Sequence, residues 1–184
     1  MPKFPKIHIE TKANNSWVVW EFLRITEKRA SPYEVSQITQ EVTDTIPELV
    51  NWLNLFPYKS IRNIKINYQI DTVPTHIDFT RPLDEPELHK NNLANEPCGY
   101  RVLISGKRAN ALYIENKDKK IYTTLPEETD VYVLGHTNAP HGVDYEPGRN
   151  TMFMHFEIDK EQHEKLLISS YDKYKEYAIL KSNF

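Results

Sequence analysis

Cysteine is nearly absent: Cys98 is the single one in 184 residues, so an intrachain disulfide is excluded and a reducing compartment is expected. Long apolar runs are missing too. No stretch approaches the ~20 residues that cross a bilayer, and Met1-Pro2-Lys3-Phe4-Pro5-Lys6 lacks the apolar centre of a secretion signal. A cytoplasmic location with no membrane partner is therefore expected. Nor is there a concentrated tract of Lys or Arg: net charge is −3, and Lys117-Asp118-Lys119-Lys120 is a short mixed run suited to a solvated hairpin tip. Binding a nucleic acid through phosphate neutralisation is not expected. Glycine is scarce, five against twelve prolines, which predicts long, stiffened connections. No internal repeat or low-complexity tract is present. What is there, 39% hydrophobic and 27% charged residues, suits one globular domain with a sizeable core.

Period-two patterning dominates the middle of the chain. In Asn63 to Ile70, Ile64, Ile66, Tyr68 and Ile70 alternate with Lys65, Asn67 and Gln69, which predicts a half-buried strand. Asp71-Thr72-Val73-Pro74 predicts a turn, and Thr75 to Phe79 a second short strand. In Cys98 to Gly106, Arg101, Leu103 and Ser105 share one face while Val102 and Ile104 share the other. Further strands are predicted at Asp130 to Leu134 and, after a Pro147-Gly148 turn, from Arg149 to Ile158. There Met152, Met154 and Phe156 form an apolar stripe opposite the Arg149 face, suited to core packing. Helices are predicted over Pro32–Gln40, with Ser31 as N-cap, over Thr45–Leu53, stopped by Pro57, and over Lys160–Tyr177. The organisation is mainly helical support in 1–62, a β core in 63–158 and a C-terminal helix in 159–184. The polar, proline-punctuated stretch Arg81 to Pro97 reads as a loop over the mouth of a site.

His76-Ile77-Asp78 carries the chemistry. Residues two apart on a strand point to one side, so His76 and Asp78 can reach one metal ion while Ile77 packs on the other face. Alone, such a pair is more often a surface hydrogen bond. With a second imidazole it becomes a two-histidine, one-carboxylate set, which suits non-haem Fe(II) and leaves open positions for a cosubstrate and oxygen. Two residues compete for that position. His136 follows the Val131–Leu134 strand directly but lies thirteen residues before Arg149. His141 lies eight before it, on the opposing arm of what reads as one hairpin. Arg149 there could meet a dicarboxylate whose other end chelates the metal. His155, in register with Arg149, lines the site or forms a hydrogen-bonded core residue; His8, His89 and His163 read as surface histidines. Cys98 reads as a small buried hydrophobe, and Asn138 as a substrate contact or a shaper of its loop.

These residues carry a family likeness. The segment from Asn63 to Ile158 resembles the Fe(II)- and 2-oxoglutarate-dependent oxygenases of the double-stranded β-helix fold. The aspartyl/asparaginyl β-hydroxylase-like branch is nearest and the prolyl-hydroxylase-like branch next. Tyr68 through His76-Ile77-Asp78 resembles the strand, turn and first two metal ligands; Cys98 to Gly106 resembles the following strand with its arginine. His141-Gly142-Val143 with Arg149 resembles the distal ligand and the cosubstrate-binding arginine. The resemblance implies a mainly β protein with flanking helices and a jelly-roll, cupin-like core. It implies Fe(II) on His76, Asp78 and His141, and 2-oxoglutarate as cosubstrate with Arg149 on its far carboxylate. Tyr68 would hydrogen-bond the cosubstrate, and Arg101 would meet a cosubstrate or substrate carboxylate, or else pair with an acid at its strand end. The implied reaction hydroxylates a peptidyl or free amino acid, so the partner is a small-molecule or polypeptide substrate. Two departures stand out. Many members of the nearest branch lack a carboxylate ligand, whereas this chain has Asp78. The His141–Arg149 spacing is also shorter than the usual nine or ten, a difference that a tight Glu146-Pro147-Gly148 turn can absorb. The rival readings are a cupin-type metal dioxygenase without 2-oxoglutarate and a non-catalytic jelly-roll binding module.

Overall fold

A computed structural model describes residues 8–9, 19–28, 35–76, 97–134 and 140–179. The protein is mainly β, with two antiparallel sheets. The larger has the order β1 (His8–Ile9), β2 (Val19–Arg24), β3 (Tyr58–Gln69), β10 (Asn150–Ile158), β5 (Pro97–Ser105), β8 (Val131–Leu134). The smaller has the order β4 (Val73–His76), β9 (His141–Val143), β6 (Ala109–Asn116), β7 (Lys119–Thr124). Among the described residues from β3 onward, successive strands alternate between the sheets, with only β6 and β7 forming a local hairpin. Its two-residue tip, Lys117-Asp118, has positive φ at both positions (47° and 64°), the backbone twist that favours tight hairpins.

Alternation decides which way the large sheet faces. Leu23, Ile25, Ile64, Ile66, Tyr100, Val102, Val131, Val133, Met152, Met154 and Phe156 lie together in the main core. Helices α1 (Gln40–Thr45) and α2 (Pro47–Leu53) cover that face through Val42, Leu49, Val50, Trp52 and Leu53. Phe56 packs edge-on against Trp52 and Tyr100, with ring centres 4.8 and 5.1 Å away. Ile64, Met154, Phe156 and Leu53 are fully buried, each contributing about 1.5–3 kcal/mol by leaving water. Met152, Met154 and Phe156 are thus the core stripe that their spacing predicted.

Several expectations are corrected. The described residues of 1–62 are not mainly helical, because β1, β2 and the start of β3 lie among them beside α1 and α2. The helix expected over Pro32–Gln40 is not formed in its described part. Residues 36–39 instead pair with neighbouring backbone: the Ser36 amide donates to Ile61 O (2.8 Å), Glu27 to Gln37 O (2.9 Å) and Thr39 to Ile25 O (2.9 Å). The Thr39 hydroxyl then accepts from the Val42 amide, so the helix starts at Gln40. The helix expected from Thr45 starts at Pro47, since Ile46 (φ −138°, ψ 62°) breaks the path. The turn expected at 71–74 ends sooner: β4 begins at Val73 and includes Pro74. It is an edge strand, where a missing N–H is tolerated. Ile77 to Phe79 lie outside the described residues. His141 and Arg149 do not sit on one hairpin; β9 belongs to the small sheet and β10 to the large one.

The C-terminal helix is as expected: α3 (Lys160–Tyr174), N-capped by Asp159, runs into a 3₁₀ turn at Lys175–Tyr177. His163 on it, however, is not a surface residue. It is 5% exposed, with Nδ1 2.6 Å from the Tyr100 hydroxyl. Burial lowers its pKa from the ordinary 6.5, only partly opposed by Glu164, so a neutral ring accepts the phenol proton. A depressed folded-state value means stability is full above about 6.5 and falls as acidification protonates the unfolded chain first. The melting temperature is therefore expected to drop between pH 7 and 5, and His163→Gln to flatten that slope. Identical slopes in the two proteins would rule the histidine out. Among the described residues no helix is long and apolar enough to cross a membrane.

Candidate functional site

β4 and β9 pair so that His76 lies opposite His141, with ring centres 4.2 Å apart. Cross-strand partners share a face, and Ile114 stands opposite His141 on its other side. His141 is 1% exposed; His76 is half-buried. The Nδ1 of His76 is 2.8 Å from the Pro74 carbonyl. A carbonyl only accepts, so Nδ1 carries the proton and Nε2 keeps its lone pair, the arrangement a metal-binding imidazole needs. Gly142 explains why β9 fits here. A Cβ at that position would lie 2.7 Å from Val73 O and inside contact of the Tyr113 hydroxyl, which crosses the strand on its other face.

Asp78 lies outside the described residues, as do His136, Asn138 and the expected loop over 81–96. Among the described residues no group of three His, Cys, Asp or Glu side chains comes together. Two adjacent imidazoles nonetheless fit a divalent transition metal, for which imidazole is a preferred donor, better than a hard cation that wants oxygen.

Opposite the histidine pair stands Arg101 of β5, 2% exposed, its Nη2 3.3 Å from His141 Nε2. A guanidinium only donates, so it caps the lone pair that a metal would take. Its carbon is 5.1 Å from the Phe153 ring centre. Gly99 leaves room for this: a Cβ there would be 3.2 Å from Arg101 Nη1 and 3.6 Å from the ring of His155. Arg101 thus points into the site, and half-buried His155 stands near it.

Arg149 precedes β10 and crosses to the small sheet. Its Nη1 donates to the carbonyls of Asn110 (3.2 Å) and Ala111 (2.8 Å), where a bulge in β6 puts Asn110 at φ 55°. Nε donates to Glu146 Oε2 at 3.1 Å, and Nη2 bonds the same oxygen. Burial raises the Glu146 carboxyl, but the Arg149 donors and the Lys107 amide outweigh it and hold the group below its ordinary value. Four of the five N–H groups of this arginine are therefore occupied. Tyr132 feels both arginines: burial pushes its phenol up, while the charges of Arg101 and Arg149 and a hydrogen bond with Thr151 pull it down.

Tyr132, Thr151 and Phe153 are site residues that the motif reading missed. For Tyr132 and Phe153 the signal is the alternation itself, since each lies between two residues of the core face, while Thr151 is tied to the site by its hydrogen bond with Tyr132. Tyr68 goes the other way. Its neighbours Asn67 and Gln69 take the site-facing side, so Tyr68 shares the side of Ile64 and Ile66 and is not brought to the histidines. Asn67 Oδ1 and Gln69 Oε1 are buried with no hydrogen-bond partner among the described residues. Gln69 Nε2 meanwhile ties β3 to the Asp71 and Asp144 carbonyls, at 3.0 and 3.1 Å.

No protein-family profile and no curated protein matches the chain. Among solved structures it is similar to the crystal structure of an oxidoreductase of the 2OG-Fe(II) oxygenase family from Burkholderia pseudomallei. Sequence identity is 14%, coverage is 76% of this chain and 68% of that one, and the TM-score is 0.45.

Proposed function

We propose that this chain is an Fe(II)- and 2-oxoglutarate-dependent oxygenase on a double-stranded β-helix, hydroxylating an amino acid that is free or within a polypeptide. The carrying observation is the side-by-side His76–His141 pair on one sheet, with His141 buried and Arg101 reaching it from the other sheet. Strands that alternate between two antiparallel sheets are what such a β-helix requires, and the order seen here supports it.

His76 and His141, with Asp78 as the third donor implied by the resemblance, would hold the metal. Bound there, Fe(II) with 2-oxoglutarate and oxygen would supply the oxidising power to convert C–H to C–OH, with succinate and carbon dioxide as the products of the ketoacid. The chain's own part is positioning. Pro74 O fixes the proton of His76 on Nδ1. Arg149, braced by Glu146 and two carbonyls, presents a fixed cation beside Tyr132 for the far carboxylate of the cosubstrate. Arg101 now donates to His141 Nε2, so in a loaded site it must take another acceptor, and an anion in the same space provides one. The packed residues around it keep the site dry, which strengthens each charge interaction.

The test is an anaerobic titration with Fe(II) and 2-oxoglutarate, watching for the weak visible charge-transfer band of the chelated complex. A saturable band supports the assignment. Iron binding without a band favours the cupin-type reading. Binding of neither overturns both and leaves a non-catalytic module.

A further inference from the structure

The strand that carries His76 hangs on a short ladder. Among the described residues β4 is an edge strand, and its partner β9 is three residues long. Two pairs set the register, Val73 with Val143 and His76 with His141, with an irregularity between them. Pro74 has no N–H to give, and its carbonyl accepts from the His76 ring. A metal ligand on such a strand needs holding from elsewhere. Alternation puts Thr75 on the face opposite His76, Gly142 on the face opposite His141, and Tyr113 on the face opposite Ile114. Tyr113 pairs with Gly142, and because Gly142 has no side chain the tyrosine lies across β9 and its hydroxyl reaches β4. That hydroxyl is 3.1 Å from Thr75 Oγ1, which also bonds Glu115 Oε2 of β6. A carboxylate only accepts, so Thr75 donates to Glu115 and Tyr113 donates to Thr75. We propose that this strap, with Tyr113 and Glu115 reaching past Gly142 to Thr75, holds His76 against His141 for metal binding; Thr75, Tyr113 and Glu115 are then positioning residues, and the assignment rests on the oxygenase reading above.

The anchor of the strap is itself fixed. Tyr113 is 1% exposed. The Tyr122 ring packs edge-on against it, 5.7 Å between centres, and Lys120 Nζ lies 4.1 Å from its ring centre. Lys120 and the Tyr122 hydroxyl both bond Asp144, directly after β9, at 2.7 and 2.5 Å. Side chains of β7, β6 and β4 and the end of β9 are thus laced together on the face away from the histidines. The strap therefore acts on the site through the backbone of β4. A slip of one residue in that strand turns His76 to the outer face and Thr75 to the inner one. The Thr75 bonds to β6 form only in the register that keeps Thr75 outside, and that same register puts His76 inside, beside His141.

The experiment reads Fe(II) affinity anaerobically against a chromophoric chelator, and backbone amide exchange over β4 in the metal-free protein. Thr75→Val keeps the shape of the side chain and removes both bonds. It should weaken Fe(II) about tenfold, the lower end for loss of a residue that supports a ligand, and speed exchange in β4 but not in β10. Thr75→Ser keeps the hydroxyl and should restore both readings to wild type. Tyr113→Phe, which removes one oxygen and keeps the ring, should fall between. Tyr122→Phe removes a hydroxyl of the same face that bonds Asp144 instead of β4, and should change neither reading. Wild-type affinity in Thr75→Val, a loss that Thr75→Ser does not restore, or an equal loss in Tyr122→Phe overturns the proposal. If Thr75→Val does not fold, Tyr113→Phe is judged by the same outcomes. If the wild-type protein binds no Fe(II), exchange decides. Faster exchange in β4 of Thr75→Val that serine restores keeps the strap and discards the oxygenase reading, and unchanged exchange discards both.

Discussion

His141→Ala is expected to lower Fe(II) affinity by at least about 100-fold, the upper end for loss of a residue that merely supports a ligand, and to abolish the charge-transfer band. The expectation rests on position. His141 is almost fully buried, faces His76 at ring contact, and has its Nε2 lone pair directed into the space between the sheets. Because a truncated buried ring also leaves a void, His76→Ala serves as the second variant. That ring is half-buried, on an edge strand, and its removal costs little packing. Affinity is read anaerobically against a chromophoric chelator, with circular dichroism to confirm that the variants fold. Both variants should lose metal and keep their fold. Wild-type affinity in folded His141→Ala would exclude it as a ligand and return His136 to the distal position. Affinity kept in both would remove the metal centre from these strands altogether.

Much of this arrangement is written in the sequence, and the rest is hidden for definite reasons. The strands at 63–69, 97–105, 131–134 and 150–158 are legible because each alternates against a single apolar face, and Met152, Met154 and Phe156 alone predict which way β10 turns. The same alternation holds the site: Arg101 lies between Tyr100 and Val102, so its side chain must leave the core face. What the pattern cannot give is the partner across a sheet. Register is set by hydrogen bonds between strands distant in sequence, such as Lys65 with Phe153 or Arg24 with Lys65, and no local periodicity encodes it. The chain from His141 to Arg149 shows the same limit. A turn dipeptide between two short strands reads as a hairpin, yet Gly148, at φ 80°, serves a passage from one sheet to the other. His163 reads as exposed because its polar neighbours on α3 describe the exposed side of the helix and say nothing of Tyr100 beneath it.

Arg149→Met is expected to cost about 3–5 kcal/mol, the range for breaking a buried ion pair from one side, and so about 10 °C of melting temperature in a chain of this size. The cause lies in what the side chain leaves behind. Glu146 loses the donors that keep its carboxyl depressed, and the Asn110 and Ala111 carbonyls lose theirs at the bulge of β6. The sign with pH follows. A depressed carboxyl contributes stability above its ordinary value of 4.5 that is lost as acid protonates it in the folded chain. The penalty of Arg149→Met should therefore be largest at neutral pH and shrink below about 4. The double variant Arg149→Met with Glu146→Gln removes the stranded charge and should recover about half of the loss. Cosubstrate binding separates the two jobs of this arginine. If Arg149 holds the far carboxylate of 2-oxoglutarate, the double variant melts about halfway back to wild type yet shows no band at any ketoacid concentration tested. A double variant that binds 2-oxoglutarate normally would confine Arg149 to clamping the β9–β10 connection and transfer the carboxylate to Arg101, the buried cation in contact with His141.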